Sequence, residues 1–463
     1  MLLYVCAMPN LYVQARRGWL AVILLMVLPA AARAHIELDA SVPAARAVIT
    51  APPDALRLRF SGTVEARYTR LMLLAPDGAQ VPLGAITFLD GSDREFTAAV
   101  PPLRGSGTFT VRWRTAGADG HVLEGSYTFT LVQDSAGVFE PDTAGATVVV
   151  EDHEHDHGGA SMSGTGPGEV VGRWLHFVAL TLLLGAVTLR MALLPRLGSD
   201  AATRSLLERR AWRAIALAAV LLGGAAILRL WQQSVALHGA SRAWSTPLLT
   251  MMLNDTGWGR AWVLQVFLLT LVAAAIVWAR PSRDRVAALV ATLAAAGLAA
   301  IPGLSGHAAG AGGIAWLVLS NDALHVAAAG AWVGTLALLM TAVLPVLGRT
   351  PDGPVAQAAA VDAFSPLALA AAAVVAGSGL VNALLHFSAP AQLWTTTYGL
   401  TLLVKLTLVG AALAGGFVNW RFVRPRLTTG GHARLRVVAG SELFFALFVL
   451  LATAVLTGLP RPG

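Results

Sequence analysis

A single cysteine, a single lysine and a charged fraction of only 13% set the first limits on this 463-residue chain. The cysteine, Cys6, falls in a leader expected to be removed, so the mature protein has neither a disulfide framework nor a thiolate metal site. With Lys405 the only lysine, the net charge of +7 comes almost wholly from arginine. These arginines fall between apolar runs and form no basic patch interleaved with aromatics. They mark membrane topology, and nucleic acid is not an expected partner. There is no GxxxxGK[ST] loop and no phosphorylatable aspartate motif, so ATP is not an expected partner and ATP-driven pumping is unsupported. What abounds is apolar: 56% of residues are hydrophobic and the mean hydropathy is +0.65. That is too apolar for an ordinary soluble protein, and a membrane protein in contact with the lipid bilayer is expected.

Residues 1–34 carry the parts of a secretory signal: Arg16 and Arg17, an apolar core from Trp19 to Leu28, and Ala32-Arg33-Ala34 as the cleavage pattern. An uncleaved anchor is the alternative. Residues 35–132 alternate as short strands. "LRLRF", "TFTVRWR" and "SYTFTLV" each place apolar residues on one face: Leu56, Leu58 and Phe60; Phe109, Val111 and Trp113; Tyr127, Phe129 and Leu131. With "APPD", "APDG" and "GADGH" as turns, this predicts an all-β, immunoglobulin-like antiparallel sandwich of Greek-key, cupredoxin-like type. Residues 133–169, containing "EDHEHDHGGASMSGTGPGE", read as a linker unable to bury a core.

From residue 170 to 463 the chain predicts an all-α polytopic membrane domain. About eight spans fall at 172–194, 211–232, 259–279, 286–303, 319–343, 366–386, 398–419 and 438–458. With residue 35 outside, the inner connections hold Arg196, Arg204, Arg209, Arg210 and Arg213, then Arg280, Arg283 and Arg285, then Arg349, then Arg421, Arg424, Arg426, Arg434 and Arg436. The outer connections hold mainly Arg242 and Arg260, so the positive-inside rule agrees with the signal. No internal repeat is evident, which argues against an inverted-repeat transporter.

Cleavage after Ala34 would make His35 the first residue, and its α-amine and Nδ1 can chelate one metal. His121, in "ADGH", adds a third nitrogen, giving a T-shaped set suited to tetragonal Cu(II). Asp119, near the same strand end, can supply an oxygen. Because the amine and imidazoles must shed protons to bind, affinity should fall in acid. Taken alone, His35 is merely the residue after a cut and "DGH" an ordinary turn. Together on a small exported sandwich they favour a site.

At this point the residues resemble a known family. "AHIELDASVPAARAVITAPPDALRLRFSGTVE" and "PPLRGSGTFTVRWRTAGADGHVLEGSYTFTL" are similar to the periplasmic copper-binding proteins of the CopC family. The resemblance implies Cu(II) held by His35 and His121 with Asp119 nearby. A second, methionine-rich Cu(I) site is not expected, since the domain has only Met72. Further along, "GRWLHFVALTLLLGAVTL", "TGWGRAW", "SGHAA", "DALHVAAAGAWVGTLALL", "YGLTLLVKLTL" and "SELFFALFVLLATAVL" resemble, in order, the inner-membrane copper-resistance CopD family. That likeness implies copper movement at the inner membrane, with the N-terminal domain in the periplasm and periplasmic copper chaperones as candidate partners.

The membrane residues also carry their own signal, because ionisable groups within spans are costly. His176, His325 and Lys405 fall in the outer half, Asp322 lies one turn before His325, and His386 ends the sixth span on that side. His176 and His325 are the first candidate copper ligands, for Cu(I) or Cu(II), although each alone is as readily a packing histidine. His238, Met251, Met252 and His307 fall in outer loops as a candidate entry funnel, with interfacial apolar filling the simpler account of the methionines. Lys405 is expected to pair with an acid such as Asp322, and Glu442 lies nearer the inner face. In the linker, His153, His155 and His157, followed by Met162, are either loose metal ligands or merely solvated.

The preferred reading is a non-enzymatic copper-transport protein of the bacterial inner membrane. It would capture Cu(II) outside and pass copper to the membrane domain, for import, homeostasis or resistance. The alternative is a membrane redox protein, a metalloreductase using copper or a b-type haem between His176 and His325. A copper monooxygenase and an adhesive sandwich on a membrane anchor are weaker readings. The first lacks an aromatic substrate platform, and the second leaves eight spans without purpose.

Overall fold

The computed structural model describes residues 38–89, 92–103, 105–117, 122–132, 166–305, 315–387 and 389–459. Among the described residues two compact units emerge: the residues between 38 and 172 with 227–263, and 173–226 with those between 264 and 459.

The first unit contains the sandwich. Its strands are β1 (Leu38–Val42), β2 (Val48–Ile49), β3 (Ala55–Phe60), β4 (Arg70–Leu74), β5 (Gln80–Val81), β6 (Thr87–Phe88), β7 (Glu95–Ala99), β8 (Gly107–Ala116) and β9 (Val122–Leu131). One sheet has the order β1-β3-β7-β6 and the other β2-β9-β8-β4-β5. The period-2 pattern seen in the sequence fills the space between them. Leu56, Leu58, Phe60, Phe96, Phe109, Val111, Phe129 and Leu131 are essentially inaccessible, and Trp113 packs against them. One detail departs from a wholly antiparallel sandwich, since β2 pairs with β9 in parallel. Two residues are too few for the strand's direction to show in an apolar alternation.

The eight long apolar helices are α1 (Pro167–Arg196), α2 (Ala201–His238), α4 (Gly257–Trp278), α5 (Asp284–Leu304), α6 (Ala315–Leu347), α7 (Gly353–His386), α8 (Thr397–Thr429) and α9 (His432–Leu456). A shorter helix, α3 (Thr246–Asp255), lies between α2 and α4. Each long helix satisfies its own backbone, as the hydrocarbon core of a bilayer requires. Outward-facing Val220, Val277, Leu369 and Val437 are more than 70% exposed, as lipid-facing side chains should be.

Helices α2 and α7 begin earlier than the apolar runs predict. Their first three turns carry Arg204, Arg209 and Arg210 in α2 and Asp362 in α7, which precede the apolar runs, and α7 continues through Pro366. α5 packs through an alanine stripe, Ala287, Ala288, Ala291, Ala294 and Ala295. The buried Arg190 near the end of α1 is paired with Asp284, which also accepts a bond from Trp212 Nε1 at 2.8 Å.

Candidate functional site

In the sandwich, β8 and β9 form a continuous ladder from Gly107↔Leu131 to Ala116↔Val122. Val64 bridges to Gly117, just beyond β8. At the other sequence-predicted element, Leu38 on β1 lies opposite Phe60 on β3, and the Phe60 ring meets Trp113 edge-on at 5.0 Å. The described residues flanking the N-terminal histidine and those flanking "ADGH" therefore leave the sandwich at one end. His35, Asp119 and His121 themselves lie outside the described residues, as do His153, His155, His157, Met162 and His307.

Several outer candidates sit elsewhere than expected. His238 is the last residue of α2, and Met251 and Met252 lie on α3, so none of the three is in a loop. Met252 is fully buried against Leu230 and Trp258, which makes it packing. His238 and Met251 instead line one small cavity of about 70 Å³ with Tyr68. All of these residues belong to the first unit. Burial pushes the Tyr68 phenol up, and Asp255 adds to the effect, so it remains an O–H donor at neutral pH.

The membrane unit brings more together. His325 Nδ1 lies 2.9 Å from Ser378 Oγ. Ser378 Oγ already donates to Val374 O at 2.6 Å, so the imidazole must be the donor between them. Neutral His325 therefore carries its proton on Nδ1 and keeps an electron pair on Nε2.

Next to it runs a polar chain that sequence reasoning found only in part. Asn321 Nδ2 donates to Asn382 Oδ1 at 2.7 Å, and Asn382 Nδ2 donates to Asp322 Oδ1 at 2.8 Å. His386 donates from Nδ1 to Asn382 O. Lys405 lies within electrostatic reach of both Asp322 and His325. Thus α6, α7 and α8 gather Asp322, His325, His386 and Lys405, with Asn321, Ser378 and Asn382 as additional members. The extra three are neutral, and nothing in a single sequence separates such residues from ordinary polar packing. Glu442 stands apart, bonded to Asn419 and accommodated by Gly415 and Gly416.

His176, on α1, is 2% exposed and meets Phe177 edge-on at 5.9 Å. Its relation to His325 follows from a close helix crossing. A Cβ on Gly185 of α1 would lie 2.1 Å from the backbone of Gly334 on α6. His176 precedes Gly185 by nine residues and His325 precedes Gly334 by nine. Both helices then end alike. Each forms a wide π turn, Leu189–Leu193 in α1 and Leu339–Val343 in α6, followed by Leu194-Pro195 and Leu344-Pro345. As the first and fifth of alternating spans, α1 and α6 run the same way. Each imidazole therefore lies nine residues before the shared contact, and in α6 that interval includes a further π turn, Gly330–Gly334, which the matching interval of α1 lacks. This local correspondence was not apparent from the apolar runs, because it rests on three residues per helix. Among the described residues, no three His, Cys, Asp or Glu side chains form a ready-made metal cage.

Comparison with known proteins agrees with these features. Residues 38–132 match the CopC domain family, residues 164–317 the copper resistance protein D-like N-terminal domain, and residues 358–456 copper resistance protein D. Copper transport protein CutJ of Bacillus subtilis (strain 168) is 26% identical over 455 residues, covering 96% of this chain and 78% of that protein. Copper resistance protein C of Escherichia coli is 32% identical over 116 residues, which is 23% of this chain and 90% of that protein. The crystal structure of CopC from Methylosinus trichosporium OB3b is 31% identical, covers 23% of this chain and all of that one, and superposes with a TM-score of 0.21. With its β-sandwich and its eight apolar helices, the chain belongs to the copper transport and resistance family, as a multi-pass membrane protein that joins a CopC domain to a CopD domain.

Proposed function

We propose that the chain captures Cu(II) on its outer sandwich and passes copper to a transit site in the membrane unit, serving import, homeostasis or resistance at the bacterial inner membrane. The outer ligands are His35, through its α-amine and Nδ1, and His121, with Asp119 as an oxygen donor. The domains run 1–34 as signal, 35–132 as copper-binding sandwich, 133–169 as linker and 170–463 as membrane domain, with the sandwich in the periplasm.

One observation supports the membrane half of this reading: His176 and His325 each lie nine residues before the glycines, Gly185 and Gly334, at which their helices meet. Ser378 fixes the His325 tautomer so that Nε2 is available to a metal, the usual arrangement behind a metal-bound imidazole. Two imidazoles without a carboxylate cage among the described residues suit transit better than storage, because a cargo ion must also leave. Lys405, within electrostatic reach of Asp322, opposes accumulation of positive charge beside His325.

The test is metal analysis with optical and EPR spectra on the purified full-length protein, beside His35→Ala/His121→Ala and His176→Ala/His325→Ala variants. A tetragonal Cu(II) signal lost in the first variant is the expected result. Retention of that signal in the first variant would sink the outer assignment. A Soret band lost in the second variant would replace copper transit with haem-based reduction.

A further inference from the structure

We propose that the cavity lined by Tyr68, His238 and Met251 is a Cu(I) site whose donors are His238 Nε2 and the Met251 thioether. The inference rests on the copper-handling reading above and adds to it a binding site for copper that arrives already as Cu(I).

The first observation is the orientation of His238. Ser234 Oγ donates to Ala243 O at 2.7 Å, and His238 Nδ1 lies 3.2 Å from the same Oγ. The hydroxyl proton is already committed, so His238 Nδ1 is the donor and Nε2 carries the electron pair. That nitrogen is buried and has no hydrogen-bond partner among the described residues. A buried acceptor left this way costs free energy unless something occupies the space beside it.

The second observation is what surrounds it. Met251 lines the same cavity, and an imidazole with a thioether is a soft pair that selects Cu(I) over hard cations. Tyr68, only 8% exposed, stands with its ring 6.0 Å from that of His238. Its hydroxyl is also buried without a partner among the described residues. An anion would be drawn to the phenol but repelled by the bare imidazole nitrogen, whereas a metal ion is drawn to that nitrogen.

Electrostatics limit the charge of the occupant. Of the arginines at the cavity, Arg67 is paired with Asp255 at 2.6 Å and Arg114 with Glu124 at 2.9 Å. Arg70 is exposed, where water screens it in part, and Arg242, one turn beyond His238, adds to the positive field on that imidazole. The remaining field disfavours a dication more than a monocation, in keeping with Cu(I). Thr115 and Val122, at the ends of β8 and β9, also line the cavity.

The experiment uses the full-length protein in detergent under anaerobic conditions, titrated with Cu(I) against a chromogenic Cu(I) chelator and examined by X-ray absorption. The variants are His238→Ala, Met251→Leu and, as a packing control, Met252→Leu. The expected result is loss of one Cu(I) equivalent in His238→Ala. Met251→Leu should lose a sulfur scatterer and bind at least tenfold more weakly, while Met252→Leu matches the parent. Equal Cu(I) binding in the parent, His238→Ala and Met251→Leu overturns the site, as does an equal loss in Met252→Leu. Because the outer Cu(II) EPR signal is read separately, failure of this site is distinguishable from failure of the outer assignment.

Discussion

A single hydroxyl sets the chemistry of an imidazole at two places in this molecule. Ser378 acts across helices on His325, and Ser234 acts one turn away on His238. Removing the acceptor in Ser378→Ala should release the His325 tautomer and weaken copper retention by roughly 10- to 100-fold, the usual scale for such supporting partners. Ring ¹⁵N NMR shifts, which distinguish the two neutral tautomers, would separate this effect from simple loosening of the helix pair. At Tyr127, burial pushes the phenol up to about 12, with Ser41 opposing it weakly. The folded pKa lies above the unfolded one, so this contribution to stability is complete below pH about 10 and is lost as pH rises through about 12. Its size is roughly 3 kcal/mol, from about 1.4 kcal/mol per unit. Difference absorbance of phenolate between the parent and Tyr127→Phe should show no Tyr127 ionisation below pH 11.

Between elements, close approach decides what can be substituted. A Cβ on Gly334 would lie 2.1 Å from Thr181 O, whereas one on Gly224 of α2 meets nothing within 4 Å. Gly334→Leu should therefore lower stability by about 1–3 kcal/mol or more through forced separation of α1 and α6. Gly224→Ala should leave the thermal midpoint in detergent unchanged or slightly raised. In the sandwich, Gly125 faces Trp113 across the β8–β9 ladder, and a Cβ there would come within 2.4 Å of the indole. Gly125→Val should expel the indole from its place against Phe60, with a red shift in tryptophan fluorescence. Strands and helices themselves were legible in the chain, because β3, β8 and β9 alternate apolar and polar residues and the spans are long and apolar. Their ends were less so. Charged residues in the early turns of α2 and a proline within α7 look like boundaries, yet both helices continue through them, as spanning helices packed among others tolerate.

For the whole molecule, the proposed outer site predicts a pH dependence of definite sign. Its three nitrogens bind only when deprotonated, and free imidazole and α-amine hold protons below about 6.5 and 8. Cu(II) retained by the full-length protein at pH 7.5 should be lost progressively toward pH 5, as followed by EPR at fixed copper concentration. Apolar periodicity determined by itself that a β-sandwich precedes eight membrane-spanning helices, because burial in protein or lipid is read directly from side-chain chemistry. The histidine and carboxylate candidates were visible too, since ionisable residues in apolar runs stand out. Only the tertiary structure decided which of them meet. It grouped Asp322, His325 and His386 through the neutral Asn321, Ser378 and Asn382, with Lys405 of a third helix within electrostatic reach. It also separated Met251, on a cavity wall, from Met252, in the packing beside it. The physical reason is that hydrogen-bond direction and helix crossing depend on partners distant in the chain, and no local pattern of residues encodes them.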